Sequence, residues 1–304
     1  MNVHLDAVAP SISVVVPTYY RPVPLSKLLD SILKQTIKPM EIIIVDDTPN
    51  PSIKLVCEQY EKDFQEIGVH LFYVKNPKEH SISTARNLGA GIAKGNIVQF
   101  VDSDIILTPS YLQEIQKTFE KHPEALGVSG MIVLKENYPT FWGVRENVGQ
   151  TVPKLFFLLH YSRNSCKLFE VPVGLTKEIR CKWFDGADMA FKRSVFSEFQ
   201  FDENLVKYSW MECALFAGQI DKAYPGRLIL TPEAKCYHEV SKEGRMKESE
   251  RKRHVLRCRK YVLTKLFGCR GLLMFGWQNF GLLGIKIISR NLKFIKIDSE
   301  LYGI

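Results

Sequence analysis

The segment richest in chemistry is Asp102-Ser103-Asp104, which follows an apolar run at residues 98–101. Two carboxylates spaced this way at the end of a strand offer hard oxygen ligands. Such ligands suit Mg²⁺ or Mn²⁺ bound together with a substrate diphosphate, whose departing charge the cation would neutralise. Two more polar clusters follow apolar runs: Pro17-Thr18-Tyr19-Tyr20-Arg21 and Asp46-Asp47-Thr48. Neither G-x-G-x-x-G nor G-x-x-x-x-G-K-[ST] occurs, which counts against dinucleotide-binding and P-loop chemistry.

The elements that must position these clusters can be read from periodicity. Short β-branched runs at residues 13–16, 41–45, 69–74 and 97–101 alternate with helix-period segments, the pattern of βαβ units and a mostly parallel sheet. Leu25, Leu28, Leu29, Ile32 and Leu33 form one apolar helix face, with Pro22 and Pro24 at its start. A second helix carries Val56, Cys57, Tyr60, Phe64 and Ile67, and a third spans residues 83–93. In open sheets of this kind ligands bind beyond the carboxyl ends of the strands, where the polar clusters fall. A further strand is expected at 126–134, a helix at 209–223 and a short strand at 228–230. Residues 135–185 lose clear periodicity and are expected to form the acceptor side.

The 304 residues, 45% hydrophobic and 24% charged, exclude disordered and fibrous classes. Seven scattered cysteines with no C-x-x-C pair read as reduced cytosolic thiols, and the N-terminus lacks the pattern of a signal peptide. Charge is asymmetric. Residues 241–304 hold 15 Lys and Arg against 5 Asp and Glu, whereas residues 1–240 hold 26 against 28. A basic end implies an anionic surface, lipid or nucleic acid, or simply a solvated face.

Four blocks in order carry a family resemblance: Val14-Val15-Val16-Pro17-Thr18-Tyr19, Glu41-Ile42-Ile43-Ile44-Val45-Asp46-Asp47, Ala85-Arg86-Asn87-Leu88-Gly89, and Gly95-Asn96-Ile97-Val98-Gln99-Phe100-Val101-Asp102-Ser103-Asp104. The chain resembles glycosyltransferase family 2, closely over residues 12–105 and more loosely to about residue 245. The resemblance implies an α/β GT-A fold: a Rossmann-like, mostly parallel sheet flanked by helices. A catalytic domain would span 1–240, nucleotide-binding over 1–134 and acceptor-side over 135–240. A basic amphipathic helical region would follow at 241–304.

The resemblance also implies roles. Pro17, Thr18 and Tyr19 would line the nucleoside pocket, with Arg21 nearby and Asp46 or Asp47 on the base. Arg86 would face the nucleotide, Asp102 the ribose and metal, Ser103 would join the donor-binding residues, and Asp104 would be the principal metal ligand. Tyr20 stands where the family often has Asn. His238 resembles the family's metal-binding histidine, and Lys242 and Arg245 would clamp the diphosphate.

Inverting transfer needs a base for the acceptor hydroxyl. The family's usual Asp is replaced by Cys213, which leaves Glu212 as the expected base and Asp188 in reserve. Asp188 belongs to the Gly-centred segment Trp183-Phe184-Asp185-Gly186-Ala187-Asp188, where it would either contact sugar or form a turn hydrogen bond.

The expected function is therefore transfer of a sugar from a nucleotide-diphosphate sugar, in surface polysaccharide or glycolipid synthesis, with Mn²⁺ or Mg²⁺. The interleaved basic and apolar residues from Arg251 onward suit an anionic membrane surface. That places the enzyme peripherally at the inner face of the cell membrane, with a lipid-linked or polysaccharide acceptor. The alternative is a nucleotide-sugar-binding protein with weak or no catalysis, motivated by Cys213. Nucleic-acid binding is disfavoured because the tail carries no recognition signature, and a nucleotidyltransferase because its Gly-rich N-terminal loop is missing.

Overall fold

A computed structural model describes residues 10–78, 80–133, 155–157, 160–162, 166–167, 170–172, 174–239, 241 and 243–291. The first half repeats a strand–helix unit: β1 (Ile12–Thr18), α1 (Pro22–Leu33), β2 (Glu41–Asp46), α2 (Ser52–Glu66), β3 (His70–Lys75), α3 (Ile82–Ile92) and β4 (Ile97–Val101). β1, β2 and β4 are buried along their whole length. Cover on both faces is why their sequences are nearly continuous apolar runs. β1 pairs in parallel with β2 and β4, and β2 with β3, so their carboxyl ends share one edge.

The second half adds β5 (Ile105–Leu107), α4 (Tyr111–Lys121), β6 (Gly127–Ile132), the short pair β7 (His160–Ser162) and β8 (Glu170–Pro172), β9 (Ile179–Cys181), β10 (Asp188–Lys192), α5 (Glu212–Ala223), β11 (Leu228–His238), α6 (Glu248–Phe267) and α7 (Cys269–Asn291). Among the described residues nine strands form one sheet, ordered β3-β2-β1-β4-β10-β6-β11-β5, with β9 beside β11. β10 enters antiparallel between β4 and β6. Its first residue therefore lies opposite Val101, at the edge where the parallel strands end.

The short strand expected at 228–230 is longer than its sequence suggests. β11 continues to His238 because its ladder to β6 shifts register between Leu230 and Lys235. Pro232, which has no N–H to give a ladder, sits within that irregularity.

Local chemistry fixes the helices. α1 opens on Pro22, whose missing N–H costs nothing in the first turn. α3 is capped by the Ser81 hydroxyl, which accepts from the Thr84 N–H. Gly89 lets α3 lie against β1, since a Cβ there would come within 2.3 Å of the Val15 side chain. Arg86, one turn earlier on the helix, is thereby held beneath the strand ends.

Alternate residues of β1 and β2 feed two cores. Val14, Val16, Ile42 and Ile44 pack with α1, α2 and α4. Val15, Ile43 and Phe100 pack with Phe191, Phe201 and Phe216 on the other face. Phe201 stacks on Phe216 at 4.1 Å, an aromatic contact worth about 0.5–1.5 kcal/mol beyond its buried area. α6 and α7 join the same body: Leu263 and Leu282 belong to this second core, and Cys258 and Val262 pack with Leu205 and Leu215.

Candidate active site

At the ends of β1, β2 and β3 polar and aromatic residues cluster. Tyr19 stacks on His80 with ring centroids 3.8 Å apart and planes 14° from parallel. Asp47 stands behind His80, accepting from Asn76 Nδ2 at 2.6 Å and contacting His80 Nδ1 at 2.8 Å. Asp46 is fully buried. It accepts from the Thr48 N–H at 2.6 Å and the Tyr73 hydroxyl at 2.9 Å, with Lys75 Nζ at 3.5 Å. Pro17 and Thr18 are buried in β1 beneath the cluster, and Tyr20 takes a left-handed φ of 54° while its N–H donates to Thr48 Oγ1. His80, Asn76 and Tyr73 were not singled out from sequence. Tyr73 lies in β3 and Asn76 and His80 follow it without periodicity or motif; pairing of β3 with β2 brings this segment alongside Asp46 and Asp47.

Deeper in the edge, Arg86 is fully buried and bridges three segments. It donates to Asp102 Oδ1 at 3.0 Å, to the Gly186 carbonyl at 2.6 Å and to Glu212 Oε1. Its guanidinium also lies 5.5 Å from the centre of the Phe201 ring. Burial works against the charge of Arg86, but Glu212 and Asp102 outweigh it and the guanidinium stays protonated. Burial raises the pKa of both carboxylates while Arg86 lowers it, and the net direction is upward in each. Glu212, expected from sequence to be the base, therefore lies in an ion pair with a cation that competes for its lone pairs.

The second carboxylate of the D-x-D segment has different partners. Asp104 is 2% exposed; its Oδ2 lies 3.0 Å from Arg21 and accepts from the Ser241 N–H at 2.9 Å. Its Oδ1 lies 3.3 Å from His238 Nε2 without an aligned hydrogen bond. Burial would raise the Asp104 pKa; His238, Arg21 and the Ser241 N–H outweigh it and hold the group at about 2. Burial would lower the His238 pKa, and Asp104 raises it past that effect. Ser103, between the two carboxylates, is buried.

A strap closes over this site. The Glu239 N–H donates to the Asp104 carbonyl at 2.8 Å, Arg21 Nε donates to the Glu243 carbonyl at 3.3 Å, and Gly244 passes directly over Tyr19. Gly244 has φ +68°, and a Cβ there would come within 2.3 Å of the Tyr19 carbonyl oxygen. Arg245 is exposed on the strap, and Lys242 lies outside the described residues.

Among the described residues no three His, Cys, Asp or Glu side chains converge as a metal cluster. Asp104 and His238 nevertheless fit a smaller site: one carboxylate, with a buried oxygen lacking a hydrogen bond, beside one imidazole. Mg²⁺ and Mn²⁺ accept so few protein ligands when substrate phosphates complete the shell.

Asp188 is not brought to this group. Its side chain points to the α4 face, where Tyr111 donates to Oδ2 at 3.1 Å and Ser129 and Cys236 complete the shell. The turn hydrogen bond expected from sequence is not among these contacts, and the side chain is 1% exposed. The period of two along β10 turns Asp188 away from the site, and burial pushes its carboxyl up to about 7. Cys213 is buried beside Gly186, and burial raises its thiol well above the usual range, with Glu212 and Asp185 adding to the effect. No described cysteine is in a disulfide. Most of residues 135–185, expected to form the acceptor side, lie outside the described residues.

Comparison with known proteins places this geometry in context. Residues 13–177 match the model of "Glycosyl transferase family 2". Glycosyltransferase GlyA of Streptococcus pneumoniae is 31% identical over 131 residues, which cover 43% of this chain and 18% of that protein. A GalNAc(5)-diNAcBac-PP-undecaprenol beta-1,3-glucosyltransferase of Campylobacter jejuni is 32% identical over 119 residues, 39% of this chain and 38% of that one. The chain thus spans well under half the length of these relatives. In the solved structures, the mannosyltransferase PcManGT of Pyrobaculum calidifontis, in complex with GDP-Man and Mn²⁺, aligns with TM-score 0.61 at 16% identity, covering 93% of this chain and 76% of that one. The GT-A fold expected from sequence is the fold of this chain.

Proposed function

This chain belongs to glycosyl transferase family 2, and on that premise we propose that it moves a sugar from a nucleotide-diphosphate sugar to an acceptor hydroxyl, inverting the anomeric carbon. The observation that carries the reading is the meeting of Asp104, His238 and Arg21 at one sheet edge, next to the Asp102–Arg86 pair.

Roles follow from position. The nucleoside rests against Pro17, Thr18 and the Tyr19–His80 stack. The base lies toward Asp47 rather than Asp46, whose oxygens are buried and engaged by Thr48 and Tyr73. Asp102 and Ser103 border the ribose and diphosphate. Asp104 and His238 hold Mn²⁺ or Mg²⁺, which when bound neutralises charge on the leaving diphosphate. Arg21, Lys242 and Arg245 supply positive charge to the same phosphates, and the strap across Tyr19 excludes water that would otherwise hydrolyse the donor. The buried Arg86 orders Asp102 and the turn at Gly186 rather than reaching the nucleotide itself.

The acceptor is a lipid-linked glycan or a growing surface polysaccharide, met by an enzyme lying peripherally on the cytoplasmic face of a membrane. No described helix is long and apolar enough to cross one. Support comes from α6 and α7. Arg253, Arg257 and Lys260 are exposed along one face of α6, and Leu273, Trp277, Phe280 and Leu283 are exposed along one stripe of α7. The Campylobacter jejuni relative, named for an undecaprenol-linked substrate, supports the same class of acceptor.

One observation favours the second reading, a donor-binding protein with little turnover: a thiol held as firmly protonated as Cys213 cannot take a proton. Nucleoside diphosphate release decides between them. UDP-glucose, UDP-GlcNAc and GDP-mannose, each with Mn²⁺ and a bacterial membrane extract, should give one donor that turns over in wild type and not in Asp104→Ala. Donor that binds but is never consumed would leave the non-catalytic reading standing.

A further inference from the structure

The site holds more carboxylates than the transfer needs, and nearly all have a cation or a buried donor against at least one oxygen. Asp102 and Glu212 each give one oxygen, Oδ1 and Oε1, to the Arg86 cation. Asp104 is taken by Arg21, His238 and the Ser241 N–H. Asp188 faces the opposite side of the sheet, and both oxygens of Asp47 are engaged by Asn76 and His80. Asp185 differs. It is partly exposed, its Oδ1 accepts only the Ala187 N–H at 3.0 Å, and among the described residues no cation lies within ion-pairing distance.

Its location is equally specific. Gly186 follows it, with its carbonyl on Arg86 and a Cβ position only 3.4 Å from Cys213 Cβ. Ala187 then accepts from the Asp102 N–H at 2.9 Å. Asp185 is therefore the last residue before the chain enters the metal- and donor-binding edge. Its charge is felt at both Cys213 and His238, raising the pKa of each.

Resting on the transferase reading above, we propose that Asp185 is the general base, substituting for a carboxylate at position 213. The free oxygen of Asp185 takes the acceptor hydroxyl proton as that hydroxyl oxygen bonds to the anomeric carbon. The bond from that carbon to the phosphate oxygen breaks, its electron pair leaves with the nucleoside diphosphate, and the proton stays on Asp185. The Asx turn to Ala187 fixes the side chain through Oδ1 and leaves Oδ2 for the acceptor. The pairing with Arg86 leaves Glu212 a positioning role: it holds the guanidinium that fastens the Gly186 carbonyl, and with it Asp185.

The test compares wild type, Asp185→Asn and Asp185→Asn/Cys213→Asp. Asparagine keeps the oxygen that accepts from Ala187, so the turn survives while basicity is lost. Binding of UDP-GlcNAc and GDP-mannose with Mn²⁺ is read by calorimetry, and diphosphate release is read with membrane extract or with water alone as nucleophile. Loss of general-base catalysis is expected to lower turnover by about 10²–10⁴-fold with donor affinity unchanged. Cys213→Asp, restoring a carboxylate beside Gly186, is expected to recover part of it. Turnover of Asp185→Asn within a few-fold of wild type overturns the assignment and leaves the transferase reading intact. Loss of donor binding together with turnover also overturns it, because Asp185 is then a donor ligand. Wild type that binds donor yet releases no diphosphate with either nucleophile overturns the transferase reading, and this proposal with it. Should Asp185→Asn fail to fold, Asp185→Glu decides in its place: lowered turnover with intact donor binding supports the base, and unchanged turnover overturns it.

Discussion

Arg86 on α3 and Glu212 at the start of α5, 126 positions apart, form an ion pair buried from solvent beneath the D-x-D segment. The pair joins the parallel half of the sheet to the segment expected from sequence to supply the base. It holds the Arg86 guanidinium in place while the same guanidinium donates to the Gly186 carbonyl.

Removing one partner strands the other charge in the interior, a loss typically of about 3–5 kcal/mol. Arg86→Met and Glu212→Leu are each expected to lose about that much in urea unfolding, and Arg86→Met/Glu212→Leu to lose less than the sum of the two. Additive losses would mean that the two side chains do not interact.

Asp188 makes folding stability depend on pH. Its carboxyl is held at about 7 in the fold against an ordinary value of 3.8. The folded state therefore keeps the proton that the unfolded chain has already lost. This contribution is complete below about pH 4 and disappears as pH rises to about 7, a loss of a few kcal/mol. Asp188→Asn removes the titration, so its stability should fall less than wild type's between pH 5 and pH 8. Parallel curves for the two proteins, from denaturant melts across that range, would contradict the assignment.

Gly244 is where the strap crosses Tyr19. Alanine would need both a left-handed backbone, about 1–2 kcal/mol less favourable, and room that the Tyr19 carbonyl occupies. Gly244→Ala is expected to weaken donor binding and raise the ratio of donor hydrolysis to transfer, with little change in melting temperature. An unchanged ratio would mean that the strap does not shield the donor.

The exposed faces of α6 and α7 predict partition onto anionic lipid. Flotation with phosphatidylglycerol vesicles should recover the protein, and phosphatidylcholine vesicles should recover much less. Trp277→Ala/Phe280→Ala should reduce recovery at every salt concentration. Arg253→Glu/Arg257→Glu should reduce it mainly at low salt, because exposed charges are screened within about 8–10 Å at physiological ionic strength. Equal recovery on both lipids would remove the electrostatic part of the argument.

Much of the first half of the sheet was legible in the sequence because its signals are local. Continuous β-branched runs mark strands covered on both faces, and the polar residues that end them fall at the one edge where parallel strands finish. The D-x-D segment, its place after β4 and the helix faces of α1 and α2, apart from Ile67, which lies exposed just past the end of α2, all follow from neighbours within a few positions. Tertiary structure decided what those residues touch. That Arg86 meets Glu212, that His238 meets Asp104 through the pairing of β11 with β5, and that Asp188 faces the core while Asp185 stays at the edge all depend on antiparallel insertions and a register shift. No local pattern encodes which strand becomes the neighbour. A side chain's face in a sheet alternates with every residue, so the role of a carboxylate at β10 was fixed only when the strand took its place between β4 and β6.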